Sequence, residues 1–148
     1  MNRFIGIFSN NIAPNVKKIN VPLGHNMVIN GGFDTNTDWT LGANFSIVGG
    51  LLHASGATST SYATQSGRLT VGKKYRVTFT VLNWTSDAVR IYLGSSVGAN
   101  RNANGTYTQD ITCYLNGDIS FYNIGSDPHY DIDNVIIQEI KPNIEDYE

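Results

Sequence analysis

Residues 74–82 alternate between apolar and polar side chains more clearly than any other segment of the chain. Successive side chains on a β-strand point to opposite faces, so this alternation predicts a strand with one buried and one exposed face. The side chains predicted to face the core are Tyr75, Val77, Phe79 and Val81. Residues 89–93 repeat the pattern, with Arg90 and Tyr92 on the face opposite the apolar side chains. Segments of this kind predict layers of sheet rather than a helical bundle.

The remaining apolar segments are also short and of strand type. Further strands are predicted at residues 27–30, 44–48, 51–54, 61–65, 106–115, 119–123 and 132–140. Turns with positive φ, which tight hairpins require, are predicted at Gly49-Gly50, Asn104-Gly105 and Asn116-Gly117. No window carries a capped apolar stripe of helical period. These features predict an all-β fold, an antiparallel β-sandwich or jelly roll with almost no helix.

The composition limits the partners of this chain. With 148 residues and a formal net charge of -2, it has the size of one domain and too little net charge for intrinsic disorder. Its 10 basic residues are balanced by 12 acidic ones, which argues against duplex nucleic acid as a partner. No segment approaches the roughly 20 apolar residues of a membrane span. Only 15% of the residues are charged, so we expect a ligand to be held by aromatic rings, amides and hydroxyls rather than by ion pairs.

The first 26 residues differ in composition from the rest of the chain. Apolar and basic residues that would anchor this segment to a partner are Phe4, Ile5, Ile7, Phe8, Lys17 and Lys18. Two prolines and the absence of any period argue against a regular element, so residues 1–26 are interpreted as an extended arm or, alternatively, as an edge strand. Residues 142–148 form an acidic tail. The N-terminal apolar stretch is interrupted by Asn10 and Pro14, so no secretory signal is expected.

Five short motifs follow one another in order along the chain. They are NGGFD at 30–34, DW at 38–39, GGLL at 49–52, GKKYRVTF at 72–79 and DIDNV at 131–135. In this order and spacing they resemble the carbohydrate-binding modules of the family 4/9/22 type, over about residues 27 to 140. The resemblance implies a galactose-binding-like jelly roll at residues 27–141 and a non-catalytic, glycan-binding role. Phe33 and Trp39 of the opening motifs are expected to pack at one end of the sandwich.

The resemblance also implies a calcium site. In the resembling modules a structural calcium often joins the opening strand to the closing strand, and the matching positions here are Asp34 and Asp133. Calcium takes roughly six to eight oxygen ligands, so backbone carbonyls near Gly72 to Lys74 are expected to contribute. The alternative is that Asp34 starts an Asx turn or caps a loop and that Asp133 binds backbone amides.

Exposed aromatic rings are what glycan binding requires, because rings stack on the apolar C–H faces of pyranoses while polar side chains pair with hydroxyls. The candidate glycan-contacting residues are Trp84, Arg90, Tyr92, Tyr114 and Tyr122. Tyr92 shares a predicted strand face with Arg90, and Tyr122 shares one with Ser120, both opposite the core. Exposed tyrosines on antiparallel strands also pack against cross-strand neighbours, which is the alternative role for these rings.

Catalysis has little support in the sequence. His25, His53 and His129 are far apart and lack the spacing of metal ligands. Asp131 and Asp133 are expected on the same side of one strand, whereas the two acids of a glycosidase come from separate strands across a cleft. We therefore expect a binding protein and not an enzyme.

The motifs and the N-terminal segment together predict a phage virion surface protein, a capsid or tail decoration with a weak glycan-binding face. Its partners would be a glycan or cell-surface polysaccharide and, through the arm, capsid or tail proteins; a homo-oligomer is also compatible. Two alternatives stay open: a free-standing soluble glycan-binding module, and a structural cement protein without a ligand. The scaffold allows all three, because one fold serves many functions.

Overall fold

The computed structural model describes residues 20–56 and 61–143. The predicted anchoring residues lie outside these ranges: Phe4, Ile5, Ile7, Phe8, Lys17 and Lys18. Most of the predicted acidic tail, residues 144–148, also lies outside them. The strands of the described ranges are β1 (Leu23–Asn26), β2 (Thr40–Leu41), β3 (Phe45–Val48), β4 (Leu51–Ser55), β5 (Tyr62–Gln65), β6 (Lys74–Leu93), β7 (Ser96–Val97), β8 (Gly105–Thr112) and β9 (Ile119–Ile140). No helix in this described part is long and apolar enough to cross a membrane.

Two long strands, β6 and β9, form the frame of the fold and pair antiparallel along most of their length. The register shifts on both sides of Ser86, and Asn83 and Asp87 adopt left-handed φ values of 50° and 61°. Bulges of this kind bend a strand, so each long strand contributes to both halves of the molecule. The sequence predicted two separate strands in place of each, because the polar residues at the bend interrupt the alternation.

The two halves of the molecule pack face to face. In one half, β8 lies beside β6, while β4 and β3 continue the sheet from the middle of β9 and β1 pairs with its end. In the other half, β5 and β2 extend the sheet from β9, and β7 pairs with β6. Phe79 of the first half meets Phe121 of the second, with ring centroids 5.2 Å apart and ring planes at 73°. This arrangement confirms the predicted all-β, antiparallel sandwich of jelly-roll type.

The core lies between the two halves and contains the apolar residues that the alternation predicted. The predicted core residues of β6 are all buried: Tyr75, Val77, Phe79, Val81, Val89, Ile91 and Leu93. Phe33 and Trp39 are also buried, with ring centroids 5.4 Å apart, and Trp39 reaches Phe121 at 6.0 Å. Burying side chains of this size stabilises a fold by roughly 1.5–3 kcal/mol each.

Strand pairing begins earlier than the predicted start of the jelly roll at residue 27. β1 is an edge strand that pairs antiparallel with the end of β9, so the last residues of the predicted arm belong to the sheet. Residues 27–30, predicted as a strand, are irregular. The reason is local: Oδ1 of Asn26 accepts hydrogen bonds from the backbone N–H groups of both Val28 and Ile137, which ends the regular pairing.

The predicted turn dipeptides have different roles. Gly49-Gly50 forms a tight hairpin between β3 and β4, with φ values of 60° and 76°. Asn104-Gly105 instead leads into β8. At Asn116-Gly117 the prediction of positive φ was wrong, because the left-handed residue there is Leu115, at 72°. Gly117 is required for close approach, since an added Cβ would collide with the backbone of Leu69.

Candidate functional site

Three tyrosine rings meet on the outer face of the half that contains β5. Tyr62 of β5 lies directly opposite Tyr122 of β9, with ring centroids 5.2 Å apart and planes at 26°. The ring of Tyr92, on β6, lies 4.4 Å from that of Tyr122 at 48°. Because β5, β9 and β6 are neighbouring strands, the three rings form a continuous strip across the sheet, which we call the tyrosine row.

Alternation along the strands places these rings outside the core. On β9, Ile119 and Phe121 are fully buried, so Ser120 and Tyr122 point the other way. The same alternation applies to β5 and to the second half of β6. Aromatic pairs across neighbouring strands stabilise a sheet by roughly 0.2–1 kcal/mol each. Their mutual packing also restricts the rings to few rotamers, so the row is formed before any ligand arrives.

Hydroxyl groups run beside the tyrosine row. Ser120 lies directly opposite Thr64 on β5 and Tyr92 on β6, and its hydroxyl is 2.8 Å from that of Thr64. The Thr64 hydroxyl donates to the carbonyl of Ile119 at 2.9 Å. Thr40 on β2 continues this line, because it pairs with Thr64. The face therefore carries aromatic rings and hydroxyls in adjacent lines.

Arg90 brings a positive charge to the tyrosine row. It lies on β6 directly opposite Tyr122 and therefore on the same face. Its Nε–H donates to Oδ1 of Asn100 at 2.6 Å, which fixes the plane of the guanidinium. Among the described residues, no carboxylate forms an ion pair with Arg90. The other N–H groups of the guanidinium are donors, so Arg90 offers a ligand both charge and hydrogen bonds.

The surroundings of Tyr122 favour the neutral form of its phenol. Partial burial raises the pKa of Tyr122 above its ordinary value, and negative charge on Tyr62, Tyr92 or Asp118 raises it further. A neutral phenol donates a hydrogen bond as well as accepting one. Tyr122 therefore presents an O–H donor at neutral pH.

Two of the predicted glycan-contacting residues lie apart from the tyrosine row. Trp84 lies at the bend of β6, where its ring packs against the core and its indole N–H donates to the carbonyl of Asp87 at 2.6 Å. Tyr114 is 57% exposed, and its backbone lies beside Gly94, but its ring makes no contact with the three rings of the row. The predicted residues that the structure does bring together are Arg90, Tyr92 and Tyr122.

Tyr62 belongs to the row but is absent from the residues that the sequence singled out. The predicted strand at residues 61–65 contained it, and alternation with Ala63 places it on the outer face. What the sequence does not show is the register that sets Tyr62 opposite Tyr122. Register between strands distant in sequence depends on tertiary contacts rather than on local pattern.

The predicted calcium site includes Asp34, Asp133 and the carbonyls of residues 72–74. Asp133 lies opposite Thr80, and its carboxylate accepts from the backbone N–H and the side-chain amide of Asn134 at 2.7 and 3.0 Å. Lys74 lies about 20 Å along the strand from Thr80, so the carbonyls of residues 72–74 are too distant to join Asp133 in one site. Within residues 20–56 and 61–143, no group of three or more His, Cys, Asp or Glu side chains is placed to hold a metal ion. Calcium binding by Asp34 and Asp133 stays a prediction.

A second polar cluster lies on the outer face of the other half. Nδ1 of His53 on β4 is 2.5 Å from Oδ1 of Asp131 on β9, and the Asn83 amide donates to Oδ2 at 2.7 Å. Asp131 is only 6% exposed, so both of its oxygens are paired where water has little access. The cluster ties the bend of β6 to β4 and β9.

No protein-family model and no curated protein sequence matches this chain. Solved structures do share its fold. The N-terminal cellulose-binding domain from Cellulomonas fimi β-1,4-glucanase C gives a TM-score of 0.57 at 12% identity, covering 78% of this chain and 98% of that chain. The CBM22-1 xylan-binding domain from Paenibacillus barcinonensis Xyn10C gives 0.54 at 11% identity, covering 83% and 97%.

A phage protein is also similar in structure. The enzymatically active domain of bacteriophage CBA120 tailspike protein 4 gives a TM-score of 0.50 at 19% identity, covering 78% of this chain. The match spans only 21% of the tailspike chain. At such identities these likenesses show the fold alone.

Proposed function

We propose that this chain is a non-catalytic carbohydrate-binding domain that holds a glycan on the tyrosine row. The observation that carries the proposal is the juxtaposition of Tyr62, Tyr92 and Tyr122 across three neighbouring strands. A sugar presents apolar C–H faces and polar hydroxyls together, and the rings of the row with the Tyr122 O–H group and the N–H groups of Arg90 match both.

The row offers two kinds of contact. Tyr62 is 42% exposed and stands at the open end of the stack, so its ring is the platform for a pyranose. Tyr122 lies between two other rings and offers mainly its edge and its O–H group. Because the rings hold one another in place, little rotamer entropy is lost when a ligand binds.

The test is isothermal titration calorimetry with soluble β-glucan, xylan and acidic polysaccharides. We expect Tyr62→Ala and Tyr122→Ala to weaken binding about tenfold or more, which corresponds to about 1.4 kcal/mol. Tyr114→Ala is the matched control, because it removes an exposed tyrosine that does not touch the row. Equal losses for Tyr114→Ala and Tyr122→Ala would contradict a site on the row.

The setting we propose is the surface of a phage particle, capsid or tail, with the residues before β1 as the anchoring arm. The apolar and basic composition of that segment supports the proposal, and so does the fold shared with a domain of a phage tailspike protein. Many copies on one particle would turn weak single-site binding into useful avidity.

A full-length variant tests the anchor separately from the glycan site. Replacing Phe4, Ile5, Ile7 and Phe8 with serine should abolish incorporation into particles and leave polysaccharide binding unchanged. Normal incorporation of this variant would contradict the anchoring role. A wild-type protein that enters particles and binds no polysaccharide would favour the cement-protein alternative, and a glycan-binding monomer that never enters particles would favour the free-standing module.

A further inference from the structure

Arg76 and Arg90 both lie on outer faces of β6, but they bond to side chains of different charge. Arg76, on the first half of β6, donates from Nε and Nη2 to the two carboxylate oxygens of Asp110, at 2.8 and 2.9 Å. Arg90, on the second half, is held by the neutral amide of Asn100. The charge of Arg76 is therefore balanced by its neighbour, whereas no carboxylate in the described part of the chain pairs with Arg90.

The positive charge of Arg90 lies beside the proposed glycan site. Arg90 is directly opposite Tyr122, where cross-strand side chains lie about 5 Å apart at Cβ. The carboxylate whose negative charge acts on Tyr122 belongs to Asp118, the residue just before β9 begins. Oδ1 of Asp118 also accepts the backbone N–H of Gly67 at 2.9 Å, which occupies part of that carboxylate. Arg90 is thus directly opposite Tyr122, whereas Asp118 lies just before β9 begins.

Guanidinium groups bind carboxylates through two parallel charge-assisted hydrogen bonds, which are stronger than the bonds to a neutral hydroxyl. Arg90 is half-buried and its Nε is already fixed by Asn100, so little side-chain entropy remains to be lost when a second acceptor arrives. A neutral glycan would leave this charge without a partner.

We propose that the ligand of the tyrosine row is an acidic polysaccharide, with a uronate carboxylate bound by Arg90 while the sugar rings contact the tyrosines. This inference rests on the proposed glycan-binding function and narrows its ligand class. It modifies the expectation from composition that ion pairs play no part in binding, because a single unbalanced arginine at the site is enough.

The test compares each acidic ligand with its own neutral form. Oligogalacturonate and oligomannuronate are titrated in the calorimeter beside their methyl esters, which keep the sugar rings and lose the charge. We expect the acids to bind about tenfold tighter than the esters, and the preference to shrink when the ionic strength is raised from about 0.05 M to about 0.5 M.

Two variants remove one positive charge each from different halves of the sandwich. Arg90→Gln should bind the acids as weakly as the esters, whereas Arg76→Gln should keep the wild-type preference. Melting temperatures of both variants show whether the fold is retained. Neutral oligosaccharides that bind in a Tyr122-dependent manner, with no effect of Arg90→Gln, would overturn this inference and leave the proposed function standing. Absence of binding to every acidic and neutral glycan would overturn both.

Discussion

Tyr122 lies on the outer face of β9, directly after a core residue of the same strand. Its chain neighbour Phe121 is fully buried, while its own ring contacts Tyr62 and Tyr92. Alternation predicted that Tyr122 points outward, but the identity of its ring neighbours depends on strand register, which no local pattern contains. The same limit explains Trp84, since nothing in its flanking residues shows that a bend turns its ring to the core.

The partial burial of Tyr122 leads to a prediction about alkaline titration. Because burial raises its pKa, the folded-state value lies above the unfolded value of about 10. The stability that neutral Tyr122 contributes to the fold is present below about pH 10 and is lost as the pH rises through the folded-state pKa. The tyrosinate absorbance that Tyr122→Phe removes from a spectrophotometric titration should therefore appear above pH 10. If the absorbance that Tyr122→Phe removes appeared instead at or below pH 10, the partial burial of the Tyr122 phenol would be contradicted.

Two glycines with the same φ separate backbone conformation from close packing. Gly49 and Gly94 both have φ of 60°, but an added Cβ at Gly49 meets open space, whereas at Gly94 it would overlap the carbonyl of Tyr114. We expect Gly49→Ala to cost about 1–2 kcal/mol from the left-handed backbone alone. Gly94→Ala should cost clearly more in urea denaturation, because the loop after β8 must also move. Equal losses of unfolding free energy in Gly49→Ala and Gly94→Ala would show that the loop after β8 does not lie against Gly94.

At the scale of elements, the bend shared by β6 and β9 decides which side chains reach the outer faces. It is stabilised by polar contacts: Oδ2 of Asp87 accepts the backbone N–H of Asp127 at 2.6 Å, and the hydroxyl of Ser86 donates to the carbonyl of the same residue at 2.6 Å. On β6 the left-handed residues at the bend are Asn83 and Asp87, and on β9 Gly125 has a φ of 129°. The strands on either side were predictable from their alternation, and the bend that joins them was not.

Trp84→Ala tests the structural role of this bend. Removing a half-buried indole that packs against the core should lower the free energy of unfolding by about 3 kcal/mol, measured by urea denaturation. Polysaccharide affinity of the folded variant should stay at the wild-type level, because the ring lies apart from the tyrosine row. An unchanged stability together with a loss of binding would instead support the sequence-based prediction that Trp84 contacts glycan.

At the scale of the whole molecule, the jelly roll was predictable because its apolar residues alternate along the long strands and its motifs occur in a recognisable order. The edge strand β1 was one of two open interpretations, since Leu23–Asn26 has no alternation of its own and is ordered by pairing with β9. The low charge of the chain predicted a binding face of rings and hydroxyls. It did not predict that Arg90, beside the tyrosine row, has no carboxylate partner among the described residues, because ion pairing depends on the fold.

The paired carboxylates predict the response of the whole molecule to acid. The pKa of Asp110 is lowered chiefly by its hydrogen bond with Arg76, and that of Glu139 chiefly by its hydrogen bond with Lys141. Depressed carboxyl values contribute stability above the unfolded pKa of about 4, and this is lost as the pH falls through the folded-state values. Melting temperature should therefore drop below about pH 4, and the drop should be shallower for Asp110→Asn. If the melting temperature of Asp110→Asn fell with pH as steeply as that of the wild type, a stabilising Arg76–Asp110 pair would be contradicted.

The central claim is that glycan binds to the tyrosine row, and amide chemical-shift mapping by NMR tests it most directly. Titration with the oligosaccharide that binds best should shift the signals of the residues whose side chains share the outer face of three neighbouring strands: Tyr62, Thr64, Arg90, Tyr92, Ser120 and Tyr122. Shifts centred on the outer face of the other half, around Thr78 and Thr106, or on Trp84, would contradict the account.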